Sequence, residues 1–139
     1  LTIVDIDAAR AGALSGDLAA RHPSAVVDSA VPADLAAVLA GADGLVHCTP
    51  VGMAEHPGLP LDADLLRPDL WVADIVYRPL DTELLITARE RGCRTLGGGR
   101  MAVHQAVDAF ALITGTRPDP DRMTAHFLDL VAAGDVLAR

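Results

Sequence analysis

The chain of 139 residues contains no lysine, because all eleven of its Lys and Arg positions are arginine. A lysine ammonium is a common general base and Schiff-base former, and arginine does not replace it in those roles. Any chemistry that needs a lysine therefore cannot be done by this segment alone.

Other features are scarce as well. The formal net charge is −8 and no basic stripe is present, which argues against a nucleic-acid partner. No apolar run is long enough for a membrane span, and no signal-peptide pattern is recognisable. Only Cys48 and Cys93 are cysteines, which fits a reducing compartment such as the cytoplasm. We interpret both as small buried side chains, with a disulfide or a reactive thiol as the alternative, and we predict no metal site.

Aromatic residues make up only 3% of the chain, whereas hydrophobic residues make up 51%. The core must therefore be packed from Ala, Val, Leu and Ile. The length fits one domain or a piece of a larger one.

Short apolar runs alternate with Ala- and Leu-rich stretches of helical spacing, and this alternation is typical of βαβ units with a parallel sheet. The predicted strands are Leu1–Asp5, Ala25–Asp28, Gly44–Cys48, Leu70–Ile75 and Arg94–Leu96. The predicted helices are Ala8–Arg21, Pro32–Leu39, Thr82–Arg91, Met101–Thr114 and Asp121–Ala133. We predict an α/β, Rossmann-like parallel sheet with flanking helices. Its first strand and Gly-rich turn are absent, so we expect the chain to be cut from a longer protein.

Asp5 ends the first predicted strand. An acid at the end of the second Rossmann strand accepts hydrogen bonds from the adenosine ribose and repels a 2′-phosphate, which favours NAD over NADP. We assign Asp5 to the ribose and Asp7 to the N-cap of the next helix. Arg10 either flanks the adenosine or is a solvated helix residue.

The third predicted strand ends in the loop His47–Met53. Thr49 offers a hydroxyl and an amide to a cofactor. Pro50 fixes one backbone dihedral, and Gly52 lets the backbone approach a ligand closely. An ordinary tight turn is the alternative interpretation.

Two later segments carry further polar groups. Tyr77 is the only tyrosine and lies just after the fourth predicted strand, where its hydroxyl could reach a substrate carboxylate. Glycines before the helix that starts at Met101 expose backbone amides to a ligand. Gln105, about one turn into that helix, can bind vicinal hydroxyls as donor and acceptor together. Its neighbour His104 is interpreted as structural or solvated.

Together these motifs resemble the C-terminal, nucleotide-binding domain of the shikimate dehydrogenase family. Its loop Asn-Ala-Thr-Pro-x-Gly-Met resembles His47–Met53, and Asp-x-x-Tyr-x-Pro-x-x-Thr-x-Leu-Leu is matched by Asp74–Leu85. Its Gly-x-x-Met-x-x-x-Gln-Ala is matched by residues 98–106.

The resemblance implies an oxidoreductase that transfers hydride between NAD, or NADP as the alternative, and a ring hydroxyl of quinate or shikimate, small cyclic polyol carboxylates. It implies that Tyr77 and Gln105 face the substrate. The cofactor would be lined by Asp5, Arg10, Thr49, Pro50, Gly52, Met53, Ile75, Gly98 and Met101.

Two departures qualify this implication. Asp5-Ile6-Asp7 stands where NADP-using members often carry Asn-Arg-Thr, which resembles the NAD-preferring quinate/shikimate dehydrogenases of actinobacteria. His47 replaces the usual Asn, which leaves the contact of that Asn in question. The catalytic Lys and Asp of the family lie in an N-terminal substrate domain, so no catalytic residue is assigned here and the segment alone is expected to be inactive.

Three alternatives stay open. An NADP-dependent shikimate dehydrogenase keeps the family and changes the cofactor. A non-catalytic dinucleotide-binding or regulatory domain would explain the lack of lysine. A phospho-acceptor signalling domain is disfavoured because that chemistry wants a late strand-end Lys. The preferred polyol and the oligomeric state, with a homodimer as one possibility, are not determined by the sequence.

Overall fold

The computed structural model describes residues 1–133, which divide into one unit from Leu1 to Asp43 and a second unit from Gly44 onwards. Among these residues, five strands form two parallel sheets, one in each unit. Within residues 1–133, no helix combines the length and the apolar character needed to cross a membrane.

The first unit is a small βαβ arrangement. It contains β1 (Thr2–Val4), α1 (Ala8–Arg21), β2 (Asp28–Ala30), a 3₁₀ turn (Pro32–Asp34) and α2 (Leu35–Ala40). Strand β1 pairs with β2 in parallel, with Ile3 opposite Ser29. Helix α1 has the predicted bounds, because its start is set locally by the Asp7 cap.

The second unit carries a three-stranded parallel sheet in the order β3-β4-β5. Its elements are β3 (Gly44–His47), a 3₁₀ turn (Ala63–Leu65), β4 (Trp71–Asp74), α3 (Glu83–Glu90), β5 (Arg94–Leu96), α4 (Gly98–Thr114) and α5 (Pro120–Ala132). In the register of β3 and β4, His47 lies opposite Asp74. The last residues of both strands therefore meet at the carboxyl end of the sheet.

The core of the second unit is aliphatic, as the composition predicts. It is built around Leu66, Leu70, Val72, Leu84, Ala88 and Cys93. The Cys93 thiol is buried and its Sγ donates to the Arg67 carbonyl at 3.1 Å. Cys48 is exposed, so the interpretation of both cysteines as buried is wrong for Cys48.

The second strand lies later than predicted. The apolar run Ala25–Asp28 was the expected strand, but the ladder spans Asp28–Ala30. Val26 is 76% exposed, and its carbonyl accepts a hydrogen bond at 2.9 Å from the nitrogen of Leu1, the residue before β1. The bounds of β2 are therefore set by its pairing with β1, which is a non-local interaction, rather than by local hydrophobicity.

Helix α4 begins at Gly98, three residues before the predicted start at Met101, so its glycines form the first turn and do not precede it. A Cβ on Gly98 would lie 2.6 Å from the carbonyl oxygen of Val76 and would also collide with that of Ile75. The missing side chain lets the start of α4 rest directly on the backbone that follows β4.

We expect Gly98→Ala to destabilise the protein by about 1–3 kcal/mol, because the new methyl group overpacks against backbone that has little room to move. Gly16→Ala in α1 is the matched control. A Cβ there meets nothing within 4 Å, and the change should stabilise the helix by about 0.5–1 kcal/mol. Urea unfolding of the full-length protein measures both changes, and equal midpoints for Gly98→Ala and the wild type would contradict the packing argument.

Candidate functional site

Asp5, immediately after β1, forms a two-point ion pair with Arg10 from the first turns of α1. Arg10 Nε donates to Asp5 Oδ2 at 2.9 Å, and Arg10 Nη2 donates to Asp5 Oδ1 at 2.7 Å. The amide of Asp7 also donates to Asp5 Oδ1 at 2.8 Å. The Asp7 carboxylate in turn accepts from the amides of Ala9 and Arg10, so its predicted role as the N-cap is confirmed.

These donors hold Asp5 in its ionised form. The hydrogen bond from Arg10, and after it that from the Asp7 amide, lowers the pKa of Asp5 to about 2. A carboxylate offers about four acceptor positions, and Arg10 with the Asp7 amide takes three of them. Because the Asp5 side chain keeps 29% of its surface exposed, a ligand hydroxyl can approach it from solvent.

A buried chain of hydrogen bonds lies at the carboxyl ends of β3 and β4. His47 Nδ1 is 3.0 Å from Asp74 Oδ1, and His47 Nε2 is 2.6 Å from Thr49 Oγ1. Thr82 Oγ1 donates to Asp74 Oδ2 at 2.6 Å, and the Val76 amide donates to Asp74 Oδ1 at 3.0 Å. His47 and Asp74 are 5% and 3% exposed, so their contact is shielded from water, whereas Thr49 at the end of the chain is exposed.

The partners assign the hydrogens of this chain. The Asp74 carboxylate only accepts, so a neutral His47 ring carries its hydrogen on Nδ1, and its Nε2 then accepts from the Thr49 hydroxyl. The same Thr49 oxygen accepts from the Val51 amide at 3.3 Å. Thr82 likewise donates to Asp74 while accepting from the Leu85 amide, which caps α3. In the described part of the chain, every buried side-chain nitrogen and oxygen has a partner.

The loop after β3 is closed by its own backbone. The Gly52 amide donates to the His56 carbonyl at 2.7 Å, and the His56 amide donates back to the Met53 carbonyl at 2.9 Å. Gly52 has φ +95°, a conformation that disfavours other residues. Gly52 packs next to Thr82, because a Cβ at this position would lie 3.5 Å from the Thr82 Cβ. The loop with the predicted cofactor residues therefore rests on the same buried chain.

The structure brings some of the other predicted residues together. Gly98 lies against the backbone of Ile75, as noted above. Tyr77 is half-exposed in the loop after β4. Met101 and Gln105 are exposed on α4, and Gln105 lies about two turns into the helix and not one, because α4 begins earlier than predicted.

Sequence reasoning did not assign the roles of His47, Asp74 and Thr82. Two of these residues carry a local signal in the sequence. Asp74 is an acid at the end of a buried strand, and Thr82 stands at the start of a helix, which is an N-cap pattern. The contact between His47 and Asp74 has no local signal, because it depends on the register of two strands 27 residues apart.

A cavity of about 470 Å³ lies beside this region, between the end of β5 and helices α4 and α5. Leu80, Leu96 and Phe127 give it an apolar wall, and Arg100 also lines it. It includes none of the predicted cofactor residues.

Comparison with known proteins identifies what this arrangement is similar to. No protein-family model matches the chain. A shikimate dehydrogenase (NADP(+)) of Pseudarthrobacter chlorophenolicus is 57% identical over 138 residues, which cover 99% of this chain and 47% of that protein. Over this span, the chain is a homologue of the shikimate and quinate dehydrogenases.

Other curated and solved proteins are similar to this chain as well. A quinate/shikimate dehydrogenase (NAD(+)) of Corynebacterium efficiens is 48% identical over 130 residues, 94% of this chain and 46% of that protein. The solved structure of quinate dehydrogenase from Corynebacterium glutamicum in complex with NAD matches with a TM-score of 0.86 and 47% identity, over 94% of this chain and 46% of that chain. The Rossmann-like fold is thus confirmed. The chain spans about half the length of the curated relatives it matches.

The ion pair of Asp5 yields a prediction for its titration. We expect a midpoint of about 2 in the wild type, and a return toward the ordinary value of 3.8 in Arg10→Gln, because the largest cause of the lowered pKa is removed. Since the folded pKa lies below the unfolded one, the stabilising contribution of Asp5 is present above pH 3.8 and is lost as the pH falls toward 2.

The midpoint is measured on the full-length protein by following the ¹³C NMR shift of the Asp5 carboxyl group as the pH is varied. Arg21→Gln, at the opposite end of α1, is the control and should leave it unchanged. An unchanged midpoint in Arg10→Gln would show that the ion pair does not form in solution.

Proposed function

We propose that the protein carrying this chain is an NAD-dependent dehydrogenase acting on quinate, shikimate or both, with the corresponding 3-dehydro acids as keto forms. The observation that carries this proposal is the ionised, solvent-accessible Asp5 at the carboxyl end of β1. An acid at this place in a Rossmann-like domain is suited to the hydroxyls of the adenosine ribose. The relatives named above as acting with NAD support the same reaction.

The residues of this chain fit a dinucleotide. Asp5 would hold the ribose, with Arg10 beside the adenosine. Thr49, Pro50, Gly52 and Met53 would line the cofactor from the loop after β3, with Ile75, Gly98 and Met101 next to them. No side chain caps the N-terminus of α4, so its first-turn amides would serve as donors to the cofactor.

When bound, NAD supplies the carbon that accepts the hydride. The residues of this chain would bind the cofactor and the substrate and orient them. The Tyr77 hydroxyl would bind the substrate carboxylate, and the Gln105 amide would bind vicinal ring hydroxyls as donor and acceptor. Holding the two reacting carbons in the correct geometry is the contribution that a protein makes to this chemistry.

We further propose that the chain is part of the nucleotide-binding domain of a two-domain enzyme. The family resemblance places the catalytic Lys and Asp in a separate substrate domain, and a lysine-free segment cannot supply the first of them. The two free thiols, Cys48 and Cys93, fit a cytoplasmic protein.

An NADP-dependent shikimate dehydrogenase is the second candidate. The relative that is 57% identical is named for NADP(+) and shikimate. Arg10 could also serve a 2′-phosphate if it were released from Asp5, since guanidinium and phosphate form bidentate pairs. The ion pair in the structure argues against this, because it occupies Arg10 and leaves a carboxylate where the phosphate would lie.

The deciding experiment is a reduced-nicotinamide absorbance assay on the full-length protein, crossing quinate and shikimate with NAD and NADP. We expect turnover mainly with NAD. Turnover with NADP alone would overturn the cofactor assignment and keep the family reaction. No turnover in any pairing would overturn the proposal and favour a non-catalytic dinucleotide-binding domain.

The same assay tests Asp5 directly. Asp5→Asn should raise kcat/KM with NADP about 10- to 100-fold, because it removes a repulsion of the 2′-phosphate and frees Arg10 to pair with that phosphate. Asp7→Asn is the matched control: it removes the same charge two residues away and keeps a good N-cap residue. Equal effects of both variants would show that only net charge matters and not the position of Asp5.

A further inference from the structure

We infer that His47 is a positioning residue that sets the cofactor loop and turns the Thr49 hydroxyl so that its acceptor side faces the dinucleotide. This inference rests on the proposed function and extends it to a residue for which sequence reasoning gave no role. It is carried by five hydrogen bonds around one buried imidazole and its two partners, Asp74 and Thr49.

The imidazole bridges two segments. Its Nδ1 is 3.0 Å from Asp74 Oδ1 at the end of β4, and its Nε2 is 2.6 Å from Thr49 Oγ1 in the loop. Because the side chain is only 5% exposed, water cannot easily replace either contact. A buried polar group that loses its partner is destabilising, so each of the two contacts helps to hold the ring in this position.

The direction of the hydrogens follows from Asp74. This carboxylate has no hydrogen to give, and its oxygens also accept from Thr82 and from the Val76 amide. A neutral His47 ring must therefore donate through Nδ1, and its Nε2 is then an acceptor for the Thr49 hydroxyl. The hydroxyl hydrogen of Thr49 is thus used inside the protein.

Thr49 is left with one free lone pair. The Val51 amide takes the other at 3.3 Å. The exposed side of Thr49 therefore approaches a ligand as an acceptor and not as a donor. The matching ligand groups are a ribose hydroxyl or the amide hydrogens of the nicotinamide, both of which are donors.

Asp74 links His47 to the loop after β4, which carries the proposed substrate residue Tyr77. Its Oδ1 receives both His47 and the amide of Val76, the residue before Tyr77. The loop proposed to hold the cofactor and the loop proposed to hold the substrate carboxylate are thus anchored on one oxygen atom. Loss of the His47 contact should loosen the first loop without removing any ligand-binding group.

Two variants separate the two contacts. An Asn side chain places its amide near the position of Nδ1, so His47→Asn keeps a donor for Asp74 and cannot reach Thr49. A Gln side chain places its amide near Nε2, so His47→Gln keeps an acceptor for Thr49 and withdraws the donor from Asp74. The family resemblance makes Asn the conservative choice here, so the first variant is expected to fold. His126→Asn, exposed on α5, is the matched control.

Steady-state kinetics of the full-length protein with NAD is the first measurement. We expect His47→Asn to raise the KM for NAD about three- to tenfold with kcat within about twofold, the effect of one lost hydrogen bond. His47→Gln should keep the KM near that of the wild type and lower the Tm. An unchanged KM in His47→Asn, or the same increase in both variants, overturns the inference.

Histidine ¹⁵N NMR of the unsubstituted protein tests the hydrogen assignment independently of activity. We expect the His47 ring to carry its hydrogen on Nδ1 and none on Nε2. A ring protonated on Nε2 overturns the inference even if the enzyme is active. Absence of turnover with either cofactor would instead refute the proposed function, and the NMR result would still decide the arrangement of His47.

Discussion

The buried carboxylate of Asp74 is the interaction on which the second unit depends. A carboxylate removed from water is tolerated only where donors replace its hydration. Here the donors come from three segments: His47 at the end of β3, the Val76 amide after β4, and Thr82 at the start of α3. Hydrogen bonds to this one carboxylate therefore connect the end of β3, the end of β4 and the start of α3.

The first unit uses an exposed carboxylate in a different way. Asp5 is held by Arg10 and by the Asp7 amide, so its charge is retained to low pH without being buried. Each contact of an exposed pair contributes little stability. The ion pair instead fixes a negative group that accepts hydrogen bonds from hydroxyls and repels a phosphate. This is the distinction between NAD and NADP that we propose for this protein.

Local features of the fold could be predicted from the sequence, and features set by distant residues could not. Helix α1 and its Asp7 cap were predicted correctly because a cap and helical spacing lie within a few residues. Strand β2 was misplaced because its bounds come from pairing with β1. The early start of α4 depends on backbone after β4. The role of His47 was missed because the strand register, which no local pattern reveals, places it opposite Asp74.

The most direct test of the account is a crystal structure of the full-length protein with NAD bound. The account predicts that the adenosine ribose hydroxyls lie within hydrogen-bonding distance of the Asp5 carboxylate, with Arg10 still paired to it. A ribose bound away from Asp5, with Asp5 and Arg10 contacting only solvent, would contradict it.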